Sequence, residues 1–108
     1  MRQVIKKYKD FAPGENDPVF KCNLFITRAR PTLWPGEAKY GLIATKKTMK
    51  LAHDRNRAKR LLRVWIRENE KHMRPDFDYF FIVRRSILDA KKPEGILWMK
   101  RAIKNVNQ

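Results

Sequence analysis

One stretch near the middle of the chain restricts the possible folds more than any other: His53-Asp54-Arg55-Asn56-Arg57-Ala58-Lys59-Arg60-Leu61-Leu62-Arg63-Val64-Trp65-Ile66-Arg67-Glu68. Wound as a helix at about 100° per residue, it gathers Ala58, Leu61, Leu62, Trp65 and Ile66 into one stripe. Asn56, Lys59, Arg60, Arg63 and Arg67 fall nearly opposite, with Arg55 and Arg57 at the two borders. The apolar stripe must bury against a second layer of the protein. The other side then projects a dense positive field, and from Arg55 to Arg67 no acid interrupts it. Charged helix faces that are merely solvated usually alternate in sign, so this face suits a polyanion. Arginine predominates, which favours planar two-pronged contact with phosphate over simple charge balance.

The rest of the chain must supply the covering layer, and 108 residues suffice for one small core but not for two ordinary domains. Hydrophobic residues make up 43%, enough for packing and too many for a disordered chain. Lys and Arg number 26 against 11 Asp and Glu, a formal charge of +15 that opposes compaction unless an anionic partner offsets it. Nucleic acid is the commonest such partner for a small basic domain. Cys22 is the single cysteine, so an internal disulfide and a cysteine-based zinc site are excluded, which fits a reducing cytoplasm. The first residues lack the apolar run of a secretory signal. No stretch approaches the roughly 18 apolar residues of a membrane span.

Hydrophobic patterning gives the order of elements. Residues 1–18 are polar and include the turn-forming run Ala12-Pro13-Gly14-Glu15-Asn16-Asp17-Pro18. Val19 to Arg28 alternates, which predicts one half-buried strand with Phe20, Cys22, Leu24 and Ile26 on the core face and Lys21, Asn23, Phe25 and Thr27 on the other. Pro31 to Glu37 is a loop, and Lys39 to Thr45 a second strand that its short separation would pair antiparallel with the first. The basic helix follows to about Lys71, capped by Asp54 or, in a longer version, by Thr48, and Pro75 ends it. Tyr79-Phe80-Phe81-Ile82-Val83 has the length and continuity of a strand covered on both sides. Pro93 suits the first turn of a last helix that aligns Ile96, Met99, Ile103 and Val106. The sum is an α+β class: a single small domain, residues 1–108, with helices packed on a small sheet.

Several other residues carry candidate chemistry. Lys46 and Lys47 extend the positive surface at the end of the second strand. Phe25, on a polar sheet face, could stack an unpaired base or support an element lying over it. His53 beside Asp54 is not read as a catalytic pair, because neighbouring helix positions diverge and no third partner is suggested. His53 and His72 are too few and too far apart in sequence for a metal-site pattern. With no Gly-rich phosphate loop, nucleophile constellation or carboxylate cluster, no catalytic residue is assigned and no protein-held metal is expected.

Gly41-Leu42-Ile43-Ala44-Thr45-Lys46-Lys47, followed by Arg55-Asn56-Arg57-Ala58-Lys59-Arg60-Leu61-Leu62-Arg63, resembles the protein subunit of bacterial ribonuclease P. The family is marked by a Gly-Leu strand ending in Lys-Lys and then Arg-Asn-Arg-x-Lys-Arg-x-x-Arg on a helix. The Asp78-Tyr79 strand ending in Arg84-Arg85 and a last helix with Trp98 also correspond, so the resemblance covers about residues 19–106. It implies a central sheet of about four strands with helices, a left-handed βαβ crossover against the usual rule, and the ribosomal protein S5 domain 2-like architecture. It further implies a non-catalytic subunit of a cytoplasmic ribonucleoprotein endoribonuclease. In such an enzyme the catalytic RNA holds most of the Mg2+ and hydrolyses precursor tRNA to release its 5′ leader. By position, Lys46, Lys47, Arg55, Asn56, Arg57, Lys59, Arg60 and Arg63 become RNA contacts, and Arg67 joins them from the same helix face. The expected partners are ribonuclease P RNA and precursor tRNA, with no membrane and no obligate protein partner.

For the leader-binding cleft of the family the candidates are Tyr8, Phe11, Phe25 and Thr45. The N-terminus departs from the family pattern: Tyr8-Lys9-Asp10-Phe11 stands where a helix with paired aromatics is usual, and Pro13-Gly14 interrupts it. Residues 1–18 are therefore expected to be divergent, without assured order. Val64 also replaces a more usual polar residue, harmlessly. The competing expectation is a structural, ribosome-associated RNA-binding protein with no role in cleavage. A DNA-binding helix-turn-helix fits poorly, because strands rather than a partner helix precede the basic helix.

Overall fold

The computed structural model describes residues 2–6 and 16–108. Its strands are β1 (Gln3–Val4), β2 (Val19–Lys21), β3 (Phe25–Pro31), β4 (Lys39–Ile43) and β5 (Phe77–Val83), and its helices α1 (Ala52–Asn69) and α2 (Lys92–Val106). Short 3-10 turns at Glu70–His72 and Arg85–Asp89 follow α1 and β5. The five strands lie in the order β1-β4-β5-β3-β2, one more than the four expected. The extra strand comes from the N-terminal segment: Gln3 and Val4 run parallel beside Lys39 and Tyr40, and Ile5 donates its N–H to the Tyr40 carbonyl at 2.7 Å. Part of the segment whose order the sequence leaves open is thus built into the sheet, with Ile5 buried.

Two sequence expectations fail here. The stretch from Val19 to Arg28 is a hairpin, not one strand. A turn at residues 22–24 folds β2 back antiparallel on β3 and sets Phe20 opposite Thr27. Opposed residues share a face, so the turn inverts the parity on which the single-strand reading depended. Phe25, Thr27 and Ala29 consequently point to the helices and are fully buried. The second failure is pairing: β4 does not lie beside β3. The central strand β5 separates them, parallel to β4 and antiparallel to β3. The loop at residues 32–38 therefore crosses two inter-strand spacings, about 10 Å.

A buried carboxylate holds that crossing. Asp78 of β5 accepts hydrogen bonds from Thr32 Oγ1 (2.7 Å), the Leu33 N–H (3.2 Å) and the Lys39 N–H (2.8 Å). Arg30 approaches the same carboxylate at 3.5 Å. A buried charge survives only when so supplied with partners.

Both helices cover one face of the sheet. Trp65 of α1 lies over Phe25, ring centroids 6.4 Å apart, and Phe25 meets Phe81 edge-on at 6.0 Å. Ala58, Leu62, Trp65 and Ile66 are fully buried, as the apolar stripe requires, whereas Leu61 at its margin is half-buried. From α2, Met99, Ile103 and Val106 are fully buried and Ile96 partly so. Gly95 sits against the indole of Trp65, where a Cβ would fall 2.0 Å from a ring carbon. Asn69 ties the helices together, its Nδ2 donating to the carbonyls of Trp65 (2.9 Å) and Ile96 (3.1 Å).

Candidate RNA interface

The outward side of α1 is built as its periodicity demands. Asn56, Arg57, Arg60, Arg63 and Arg67 are exposed, and Lys59 is half-buried. No ion pair between described residues involves any of these cations. Like charges three or four positions apart oppose helix formation by a few tenths of a kcal/mol per pair. Burial of the opposite stripe offsets this many times over, so the ridge stands without a compensating acid.

Arg55 differs from the others. It is half-buried, and its guanidinium donates to the carbonyls of Met49 (2.9 Å) and Lys50 (3.0 Å), fastening the loop that leads into α1. One of its nitrogens is thereby committed to the fold, while the side chains of Arg57, Arg60 and Arg63 are exposed and form no ion pair with a described residue. Lys46 and Lys47 are exposed in the turn between β4 and α1. Thr45 shapes that turn, its Oγ1 accepting the Thr48 N–H at 3.3 Å and its carbonyl the Met49 N–H at 2.9 Å. Neither Asp54 nor Thr48 caps the helix: Leu51 occupies the N-cap and offers no side-chain bond. Asp54 meets His53 at 3.2 Å instead. The two neighbours do touch, contrary to the sequence expectation, because they lie in the first turn and the His53 side chain is free to fold back. His53 is largely exposed, and among the described residues no third group forms an ion pair with the two.

The leader-cleft candidates are divided. Thr45 is exposed and lines a hollow of about 300 Å³ with Ile5, Lys6, Leu42, Ile43, Ala44 and Lys59, which brings the end of β1, the end of β4 and the basic helix together. Phe25 is excluded: buried beneath Trp65 and against Phe81, it can stack no base. Tyr8 and Phe11 lie outside the described residues. The sheet face away from the helices carries Ile26, Arg28 and Arg30 from β3 beside Ile82, Phe80 and Asp78 from β5. Arg28, half-buried on that face, is a cation the sequence reading did not single out. The alternation Ile26-Thr27-Arg28-Ala29-Arg30 was the available signal, legible only with the hairpin in place. Among the described residues no three His, Cys, Asp or Glu side chains converge to hold a metal ion. None of the helices among these residues is long and apolar enough to cross a membrane.

A small α+β domain with one acid-free arginine ridge on a helix backed by a sheet is the form of an RNA-binding protein. The family model for ribonuclease P matches residues 2–107, and the chain belongs to that family. Relatives include the ribonuclease P protein components of Proteus mirabilis strain HI4320, 34% identical over 70 residues, and of Pseudomonas paraeruginosa, 38% identical over 72. These matches cover 60% and 62% of this chain and 58% and 52% of the relatives, so the chain spans little more than half the length of each. The fold matches the ribonuclease P protein of Staphylococcus aureus with a TM-score of 0.71 at 20% identity, covering 99% of this chain and 94% of that one. For the protein from Thermotoga maritima the TM-score is 0.62 at 19% identity, covering 81% and 84%.

Proposed function

We propose that this chain is the protein subunit of a cytoplasmic ribonuclease P ribonucleoprotein that removes the 5′ leader of precursor tRNA. In this reading the outer face of α1 lies on the catalytic RNA. Lys46, Lys47 and Lys59 continue the contact toward Thr45 and the hollow beside it, where the leader enters. The single observation that carries the proposal is the ridge of Asn56, Arg57, Arg60 and Arg63 at the spacing of the resemblance, continued by Arg67, without an ion pair to any described residue and on a helix whose other side is core.

The protein acts by electrostatics. Two polyanions, catalytic RNA and precursor, repel each other unless cations lie between them. Arginine donors offer paired N–H groups to phosphate oxygens without requiring any base sequence. The Mg2+ ions belong mainly to the RNA, where they supply the chemistry of phosphodiester hydrolysis. The side chains of this protein relieve the charge that would otherwise have to be screened by additional free Mg2+.

Reconstitution tests the proposal. Precursor tRNA cleavage at low Mg2+ is expected to require this protein together with a bacterial ribonuclease P RNA, with the protein alone inert. If the protein binds the RNA but leaves the Mg2+ requirement unchanged, the cleavage role is wrong and a purely structural RNA-binding protein remains.

A further inference from the structure

The positive surface does not stop where α1 stops. Arg67 is exposed in the last turn of the helix, and Lys71 is exposed in the 3-10 turn that follows. That turn is fastened to the end of α2: Asn107 Nδ2 donates to the His72 carbonyl at 2.7 Å. On the adjoining part of α2, Lys100 and Lys104 are exposed one turn apart. None of Lys71, Lys100 and Lys104 forms an ion pair with a described residue. The acids near α1's end do not supply one. Glu70 accepts the Arg2 N–H at 2.6 Å, Asp76 is paired with Arg74 at 2.7 Å, and Glu68 makes no ion pair with a described residue. Burial first, then Lys104, Lys71 and Lys100 in turn, hold His72 below the ordinary histidine range.

We propose that Lys71, Lys100 and Lys104 form a second RNA-backbone contact, so that the RNA held on the outer face of α1 continues over the end of that helix onto α2. The inference rests on the reading of α1 as the RNA face and extends its footprint to residues outside the Arg-Asn-Arg segment. Continuity with Arg67 selects RNA as the occupant. Lysines suit the role because they bind backbone as mobile point charges and need no base register. Placing like charges at one-turn spacing and on abutting elements disfavours the free protein, and a run of phosphates reverses that penalty.

The test compares three charge-matched variants for binding to a bacterial ribonuclease P RNA across a salt series, with folding checked by thermal melting. Lys71→Gln/Lys100→Gln/Lys104→Gln is expected to weaken binding roughly tenfold or more and to lower the slope of log affinity against log salt by about 2 to 3, near 0.9 per lost phosphate contact on the duplex scale. Lys21→Gln/Lys91→Gln/Lys92→Gln removes the same charge elsewhere and is expected to leave the slope within about 1 of the parent. Equal losses in these two variants would reduce the effect to net charge and overturn the inference. Arg57→Gln/Arg60→Gln/Arg63→Gln reports on α1 alone. If it loses binding while the Lys71 variant does not, the inference fails and the α1 reading stands. If only the Lys71 variant loses binding, the α1 reading fails, and the continuity inferred from it is overturned even though the lysines bind RNA.

Discussion

Gly95 sets how closely the two helices meet. Its missing side chain admits the Trp65 indole, and a Cβ there would overlap the ring at 2.0 Å. An indole packed on Phe25 has no flexible end to withdraw, so the helices would have to part. Gly95→Ala is therefore expected to destabilise the protein by about 1–3 kcal/mol, or more if the backbone resists, although alanine favours helices over glycine. Chemical denaturation measures this, and a more stable variant would mean that the contact is looser than described. Trp65 and Arg60, five residues apart on α1, separate folding from binding. Trp65→Ala should cost about 3–5 kcal/mol, since the ring is wholly buried. Arg60→Ala should leave the melting temperature nearly unchanged and weaken RNA binding, because Arg60 is exposed and makes no ion pair with a described residue. Melting and filter-binding data on both variants decide the matter, and the reverse pattern would place the wrong side of α1 outward.

At the scale of elements, legibility in the sequence tracks whether a segment's periodicity is self-contained. Ala52–Asn69 announces its own buried side because helical period and apolar spacing agree over 18 residues. The last helix and β5 are legible for the same reason, through Pro93 at its start and an unbroken apolar run. The β2–β3 hairpin is not, because a turn at residues 22–24 leaves the alternation of apolar and polar residues superficially intact while exchanging the faces. Phe25 therefore lies on the buried face and not on the polar face that unbroken alternation predicts. The separation of β3 from β4 was equally hidden, since strand order depends on Asp78, a partner 45 residues beyond Leu33. The β1 strand is two residues long and carries almost no pattern; it forms because β4 presents an edge. Of the candidate RNA contacts, the α1 positions emerged where periodicity placed them. Arg55 shows what periodicity omits, namely that a cation at the border of a face can be held by backbone carbonyls.

For the molecule as a whole, +15 on a body with Cα extents of 35 × 29 × 26 Å makes ionic strength the main control of its associations. If 6–10 phosphates are contacted, affinity for RNA should fall by roughly 10³–10⁵ between 50 and 200 mM salt. A flat titration would reject charge neutralisation as the source of binding. The position of β5 between β3 and β4 has a separate bearing on how the protein is made. Residues up to 76 can leave the ribosome and still lack the strand that joins the two halves of the sheet. Contacts that distant in sequence form late and slowly. During synthesis the cationic helix is thus already exposed while the sheet beneath its apolar underside still lacks its central strand. A nascent chain in that condition meets cellular polyanions before it has a core, so its folding and its first encounter with nucleic acid compete in time.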